Sequence, residues 1–132
     1  MRLEPKTAAE ANELFNRPQF RPWYGGNGEI CFPEDGPQFI GCDEGIVVFL
    51  PMGDRLWEMH IASGAYGVQL GMEAIKWLRD THGGVVIAHI PAFNLRARHG
   101  AIQAGARFVG EIRQAIVLDT KVFALRVYAW DS

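Results

Sequence analysis

Apolar and polar positions along the chain change period several times, and each change marks an element. Residues 7–10 read Thr-Ala-Ala-Glu, a capping box in which the Thr7 hydroxyl accepts from the backbone at Glu10 and the Glu10 carboxylate reaches back. A short strand before it and a helix over 8–16 are expected, the helix ending ahead of Pro18. Residues 17–37 have no period and are rich in Pro and Gly. They also hold Phe20, Trp23 and Tyr24, so the loop is expected to pack against the body of the protein.

Three strands are predicted next, at 38–42, 46–51 and 55–62, separated by Asp43-Glu44-Gly45 and Met52-Gly53-Asp54. Such short turns imply an antiparallel meander. In the third of these strands Trp57, Met59 and Ile61 fall on one face and Glu58 and His60 on the other. A helix over 66–80 follows, its apolar stripe running through Val68, Leu70, Met72, Ile75 and Leu78 with Trp77 beside it, and His82-Gly83-Gly84 stops it. The run 85–90 reads as a continuous apolar strand and predicts burial on both faces, with His89 simply a residue of that strand. A helix over 95–104 and two strands, 107–118 and 122–130, complete a β-α-loop-β-β-β-α-β-α-β-β order. That order predicts an α/β chain with a mixed, mostly antiparallel sheet and helices on both faces.

Composition narrows the function. The 132 residues suit one domain over 1–132. With 48% hydrophobic residues, 21% charged residues and a formal net charge of -2, the balance is that of an ordinary folded protein. No Lys/Arg run marks a nucleic-acid surface, so no nucleic-acid partner is expected. The apolar runs fall short of a membrane span and the first residues lack a signal-peptide core, which makes the cytoplasm the expected location. Cys31 and Cys42 are expected to be reduced thiols, with a disulfide across their loop as the less favoured alternative. Four scattered histidines give no metal-ligand spacing.

The stretch 90–110, Ile-Pro-Ala-Phe-Asn-Leu-Arg-Ala-Arg-His-Gly-Ala-Ile-Gln-Ala-Gly-Ala-Arg-Phe-Val-Gly, passes from a strand through an Asn-capped helix and a Gly stop into a new strand. This unit, together with the element order, resembles the GCN5-related N-acetyltransferase (GNAT) superfamily over most of the chain, most strongly from Trp57 to Trp130. Asn16-Arg-Pro-Gln-Phe-Arg-Pro-Trp23, Trp57-Glu-Met-His-Ile61 and Ile90-Pro-Ala-Phe-Asn94 resemble a small bacteriophage-associated branch of it, which would put the protein in a host cytoplasm. The resemblance implies acetyl transfer from acetyl-CoA to an amine of a small molecule or protein, and it makes a homodimer an expectation. The alternative is a protein of the same fold without catalysis, acting as a binding or virion-associated module.

Within that resemblance the fourth and fifth strands, here 55–62 and 85–90, splay apart and the pantetheine arm pairs with the fourth. Pro91 cannot donate a ladder hydrogen bond and is expected to help open the pair. Met59 and Ile61 then meet the cofactor through their backbone, and a backbone N–H near them is the expected oxyanion donor. The turn Gly64, Ala65, Tyr66 and Gly67 would present amides and a helix dipole to the pyrophosphate. Asn94 caps the last helix and, by resemblance, contacts the pantetheine arm. Arg98, with Arg96, is a candidate for the nucleotide's phosphates, the alternative being a solvated helix charge. Acetyl transfer also needs a base. Glu58, directly or through water, is the first candidate and His60 the second, roughly 7 Å apart at Cα by strand geometry. Trp23 and Tyr24 are candidates for an acceptor pocket. Two positions depart from the family pattern. Ala62 stands where a long polar residue precedes the Gly-rich turn, and Ala101 stands where many members carry a proton-donating Tyr. His99 and Tyr66 are the neighbours with a transferable proton.

Overall fold

The computed structural model describes residues 1–23, 29–118 and 120–131, with the backbone alone for Trp23 and Leu118. A two-residue strand β1 (Glu4–Pro5) leads into helix α1 (Ala8–Phe15). The capping box forms as its sequence requires, Thr7 Oγ1 accepting from the Glu10 amide at 3.1 Å and Glu10 Oε1 from the Thr7 amide at 3.1 Å. After a 3-10 turn (Arg21–Trp23) come β2 (Gln38–Cys42), β3 (Gly45–Gly53) and β4 (Leu56–Ser63), then α2 (Gly67–Thr81), β5 (Val85–Pro91), α3 (Leu95–Gln103), β6 (Arg107–Leu118) and β7 (Lys121–Trp130). One sheet holds all seven strands in the order β1-β2-β3-β4-β5-β7-β6. Every neighbouring pair is antiparallel except β4 and β5. Among the described residues no helix is long and apolar enough to cross a membrane.

The sheet separates two cores. On one face Val47 and Phe49 of β3 and Val86, Ala88 and Ile90 of β5 pack with Leu70, Ala74, Ile75 and Leu78 of α2 and Ala101 of α3. On the other, Ile46 and Val48 of β3 and Ala62 of β4 pack with Ala11 and Phe15 of α1, with Phe20, Ile30 and Phe32 of the following loop alongside. The loop therefore packs on the body through Phe20. The expected roles of Trp23 and Tyr24 lie outside the described side chains.

The strand buried on both faces is β3, whose residues from Gly45 to Phe49 are all buried. The expectation for 85–90 is thus corrected. β5 alternates, with Val86, Ala88 and Ile90 buried and Val85, Ile87 and His89 only partly so, because α1 covers the β3 side of the sheet and stops short of β5. The α2 stripe is also narrower than expected. Met72 is half exposed, since two residues beyond Leu70 is more than half a turn around a helix of 3.6 residues per turn. Leu70, Gly71, Ala74, Ile75 and Leu78 form the buried stripe. Cys31 is exposed, Cys42 is partly buried, and both are free thiols.

Candidate active site

The parallel ladder between β4 and β5 is short. Leu56 pairs with Val85, Trp57 with Val86 and Glu58 with Ile87, and there it ends. Beyond it β4 stays paired with β3 as far as Ser63, and β5 with β7 as far as Pro91. The two central strands thus diverge while each keeps its outer partner. Pro91 is not what opens them. The ladder ends four residues earlier, and Pro91 itself sits opposite Leu125 of β7.

Three titratable side chains gather where the strands part. Glu58 belongs to the last paired position of β4, and His60 and His89 stand two residues further on in β4 and β5. Strand alternation puts all three on the α1 face. Glu58 Oε1 lies 2.7 Å from His60 Nε2, and Oε2 lies 2.8 Å from His89 Nδ1. An ionised carboxylate only accepts, so each imidazole donates through the nitrogen that faces it. That fixes the neutral tautomers as Nε2–H for His60 and Nδ1–H for His89. The hydrogen bond from His60 holds the Glu58 carboxyl below the usual carboxylate range. Burial opposes this, and the charges of both histidines and the bond from His89 reinforce it. The Glu58 side chain keeps 16% of its surface in solvent, which leaves the cluster open to water at its rim.

The sequence brings Glu58 and His60 together by period-two alternation alone. It does not single out His89, although one signal was available. His89 is the only polar residue in 85–90 and is out of phase with Val86, Ala88 and Ile90, so it had to face away from the α2 core.

The other candidates fall into three groups. Met59 and Ile61 pack their side chains against the α2 core. In the turn after β4 the Gly64 amide is already committed to the Glu44 carbonyl at 3.0 Å, so Gly64 is not an anion donor. Ala65, Tyr66 and Gly67 enter α2 with no side-chain cap and no acidic residue in the first turn. Tyr66 is exposed, and the Ser63 hydroxyl lies against Gly67 at the helix start. Ala62 is buried in the α1 core. At α3, Asn94 is the cap, Oδ1 accepting from the Ala97 amide at 3.2 Å. Arg98 turns inward. Its Nη1 donates to the Ala92 carbonyl at 2.7 Å and its Nε to the Tyr128 hydroxyl at 3.4 Å, so it ties α3 to the end of β5 and to β7. Arg96 and His99 are exposed, and Ala101 is buried in the α2 core.

One further arrangement borders the cluster. From α1, Asn12 accepts the Phe32 amide at 2.7 Å and donates to the Phe32 carbonyl at 3.1 Å. One turn later Asn16 does the same for Ile30, at 2.8 and 2.7 Å. The rise of one helical turn roughly matches the two-residue repeat of an extended chain, so two side-chain amides grip alternate residues of one strap. Its Phe32 ring lies edge-on to Phe15, centroids 5.0 Å apart, and 6.1 Å from the His60 ring.

No family model matches the sequence, and no curated protein matches it. The fold does have close counterparts among solved structures. A ribosomal-protein-alanine N-acetyltransferase from Brucella melitensis superposes with a TM-score of 0.77 at 15% identity, covering 98% of this chain and 99% of that one. An acetyltransferase of the GNAT family from Streptococcus pneumoniae gives 0.79 at 15% identity, with 98% of each chain covered. Spermidine N-acetyltransferase from Vibrio cholerae, in complex with CoA and spermine, gives 0.80 at 11% identity over 98% of this chain and 94% of that one. The chain has the fold of the GNAT N-acetyltransferases. The bacteriophage-associated branch finds no support in these comparisons.

Proposed function

We propose that the protein is an N-acetyltransferase that uses acetyl-CoA and acts on an amine. The observation that carries this reading is the coincidence of two features at one place: a parallel strand pair that opens after Glu58, and a carboxylate with two imidazoles at that opening. The fold counterparts are acetyltransferases, and one of them is a complex with CoA.

The residues fit the cofactor in two respects. Beyond Glu58 the β5 side of β4 has no ladder partner, and an extended arm would pair there, along Met59 and Ile61. The amides of Ala65, Tyr66 and Gly67 open α2 with no side-chain acceptor and no carboxylate in the first turn, as an anion site requires. Asn94, the cap of α3, is the residue that the resemblance would bring to the same arm. Acetyl-CoA would supply the acetyl group as a thioester, whose C–S bond breaks as the amine's C–N bond forms. The chain's own part is to hold and neutralise the amine. Glu58 attracts a cationic amine and orients both imidazoles, and an imidazole takes the proton that would otherwise mask the nitrogen lone pair. This refines the expectation for Glu58. With both oxygens occupied and its carboxyl held ionised, it serves better as the group that orients and stabilises the proton acceptor than as the acceptor itself.

The test has two readouts. Acetyl-CoA at 100 times its dissociation constant should stabilise the fold by about 2.7 kcal/mol, seen as a rise of several degrees in Tm, with free adenosine phosphates as the control. Thiol release from acetyl-CoA should then depend on an added primary amine, surveyed over diamines, amino acids and short peptides. No shift in Tm together with no amine-dependent thiol release would overturn the reading.

A further inference from the structure

The geometry points to His89, through Nε2, as the group that takes the proton from the acceptor amine, with His60 as a positioning residue. This inference rests on the acetyl-transfer reading above and goes beyond it by separating two imidazoles that share one carboxylate.

Glu58 fixes the tautomers in opposite senses. His89 faces it with Nδ1 at 2.8 Å, so in the neutral ring the lone pair sits on Nε2, the nitrogen farther from the carboxylate. Among the described residues Nε2 has no hydrogen-bond partner, and no aromatic ring packs on the His89 imidazole. His60 is placed differently. It belongs to β4 opposite Val48, a fully buried residue of the α1 core, and the Phe32 ring, held by the Asn12 clamp, closes on it. His60 is therefore packed by the strap on one side, although its side chain keeps 23% of its surface in solvent. His89 is about as exposed, with 26% of its side chain in solvent, so the two imidazoles differ in what packs on them and not in their access to water. The titratable groups that meet His89 are Glu58, directly, and His60 across it. Its partner in β7 is Val127, which carries no charge.

The step balances on its own. A proton leaves the acceptor's ammonium nitrogen and arrives at Nε2. The imidazolium that forms is held by the Glu58 carboxylate through Nδ1–H, and the proton passes to water when the ring returns to its neutral form. No oxidant, reductant or metal enters. His60, donating through Nε2–H at 2.7 Å, steadies the other oxygen and so the orientation of Glu58.

Steady-state kinetics on His89→Gln and His60→Gln would test this. A Gln amide in either place can still donate to Glu58 but cannot titrate. For His89→Gln, kcat should fall about a hundredfold or more, the acid limb of the pH–kcat profile should vanish, and acetyl-CoA affinity and Tm should stay near wild type. For His60→Gln the limb should persist, moved in pH, with kcat down by less than tenfold. Loss of the limb in the His60 variant, or its survival in the His89 variant, would overturn the assignment. Nitrogen NMR of the histidines in the unsubstituted protein keeps the test independent of variant folding. His89 should appear as the Nδ1–H tautomer, and an Nε2–H form for it would overturn the inference. Wild-type protein without amine-dependent thiol release would instead remove the underlying reading, which separates the two failures.

Discussion

Glu58 carries its charge between two imidazoles, and the consequence for stability has a definite sign. Its carboxyl is held below the usual range, chiefly by the hydrogen bond from His60. A group whose pKa is lowered by folding contributes stability that is fully present above its unfolded pKa and drains away as the pH falls through the folded one. Urea midpoints measured from pH 6 down to pH 3 should therefore decline in the wild type partly through Glu58, and Glu58→Gln should flatten that part of the decline. An identical acid slope in the two proteins would show that the carboxylate contributes no folded-state stability there. At this scale the sequence was legible where one strand sufficed. Glu58 and His60 are two residues apart, and alternation alone puts them on one face. His89 lies on a different strand, and its meeting with Glu58 depends on a parallel register that no local pattern encodes. Arg98 was misleading for a related reason. Its position in the first turn of α3 suggested phosphate or solvent, whereas the end of β5 and Tyr128, distant in sequence, receive its donors.

Elements were legible to within a residue or two wherever capping or turn chemistry bounded them, as at Thr7, Asn94 and Gly83-Gly84. The strap that α1 holds was not. Asn12 and Asn16 look like solvent-facing polar residues one turn apart on an amphipathic helix, and nothing local says that a segment 14 to 20 residues later will dock on them. Their removal should be felt. Asn12→Ala deprives the Phe32 N–H and C=O of both partners, and Asn16→Ala does so for Ile30. Each should cost about 1–3 kcal/mol, since half-buried backbone groups lose their hydrogen bonds without replacement. The two grips hold one strap, so the double variant should fall short of the sum of the singles. Urea unfolding of the three variants measures both points. Full additivity would show that Ile30 and Phe32 dock independently.

For the whole molecule, the sheet carries the architecture, and β3 is its most enclosed strand. Phe49 is fully buried at the α2 core and Val48, its neighbour in sequence, is fully buried at the α1 core. Phe49→Ala should cost about 3–5 kcal/mol, a large share of the stability of a domain this size, and urea unfolding would read it. A loss under 1 kcal/mol would mean that the core refills the space. The order of elements and the mixed sheet with helices on both faces were readable in the sequence, because each helix and strand declared its own period. Which strand would be covered twice, and where the central pair would part, follow from how far α1 extends across the sheet and from the length of one parallel ladder. Both are properties of the assembled layers. The strap has a consequence for how such a protein can change over time. Asn12 and Asn16 recognise only amides and carbonyls, so they are indifferent to what side chains positions 29, 31 and 33 present outward. That stretch can change its outward side chains while its path across the sheet stays the same, much as a mounting rail accepts different fittings.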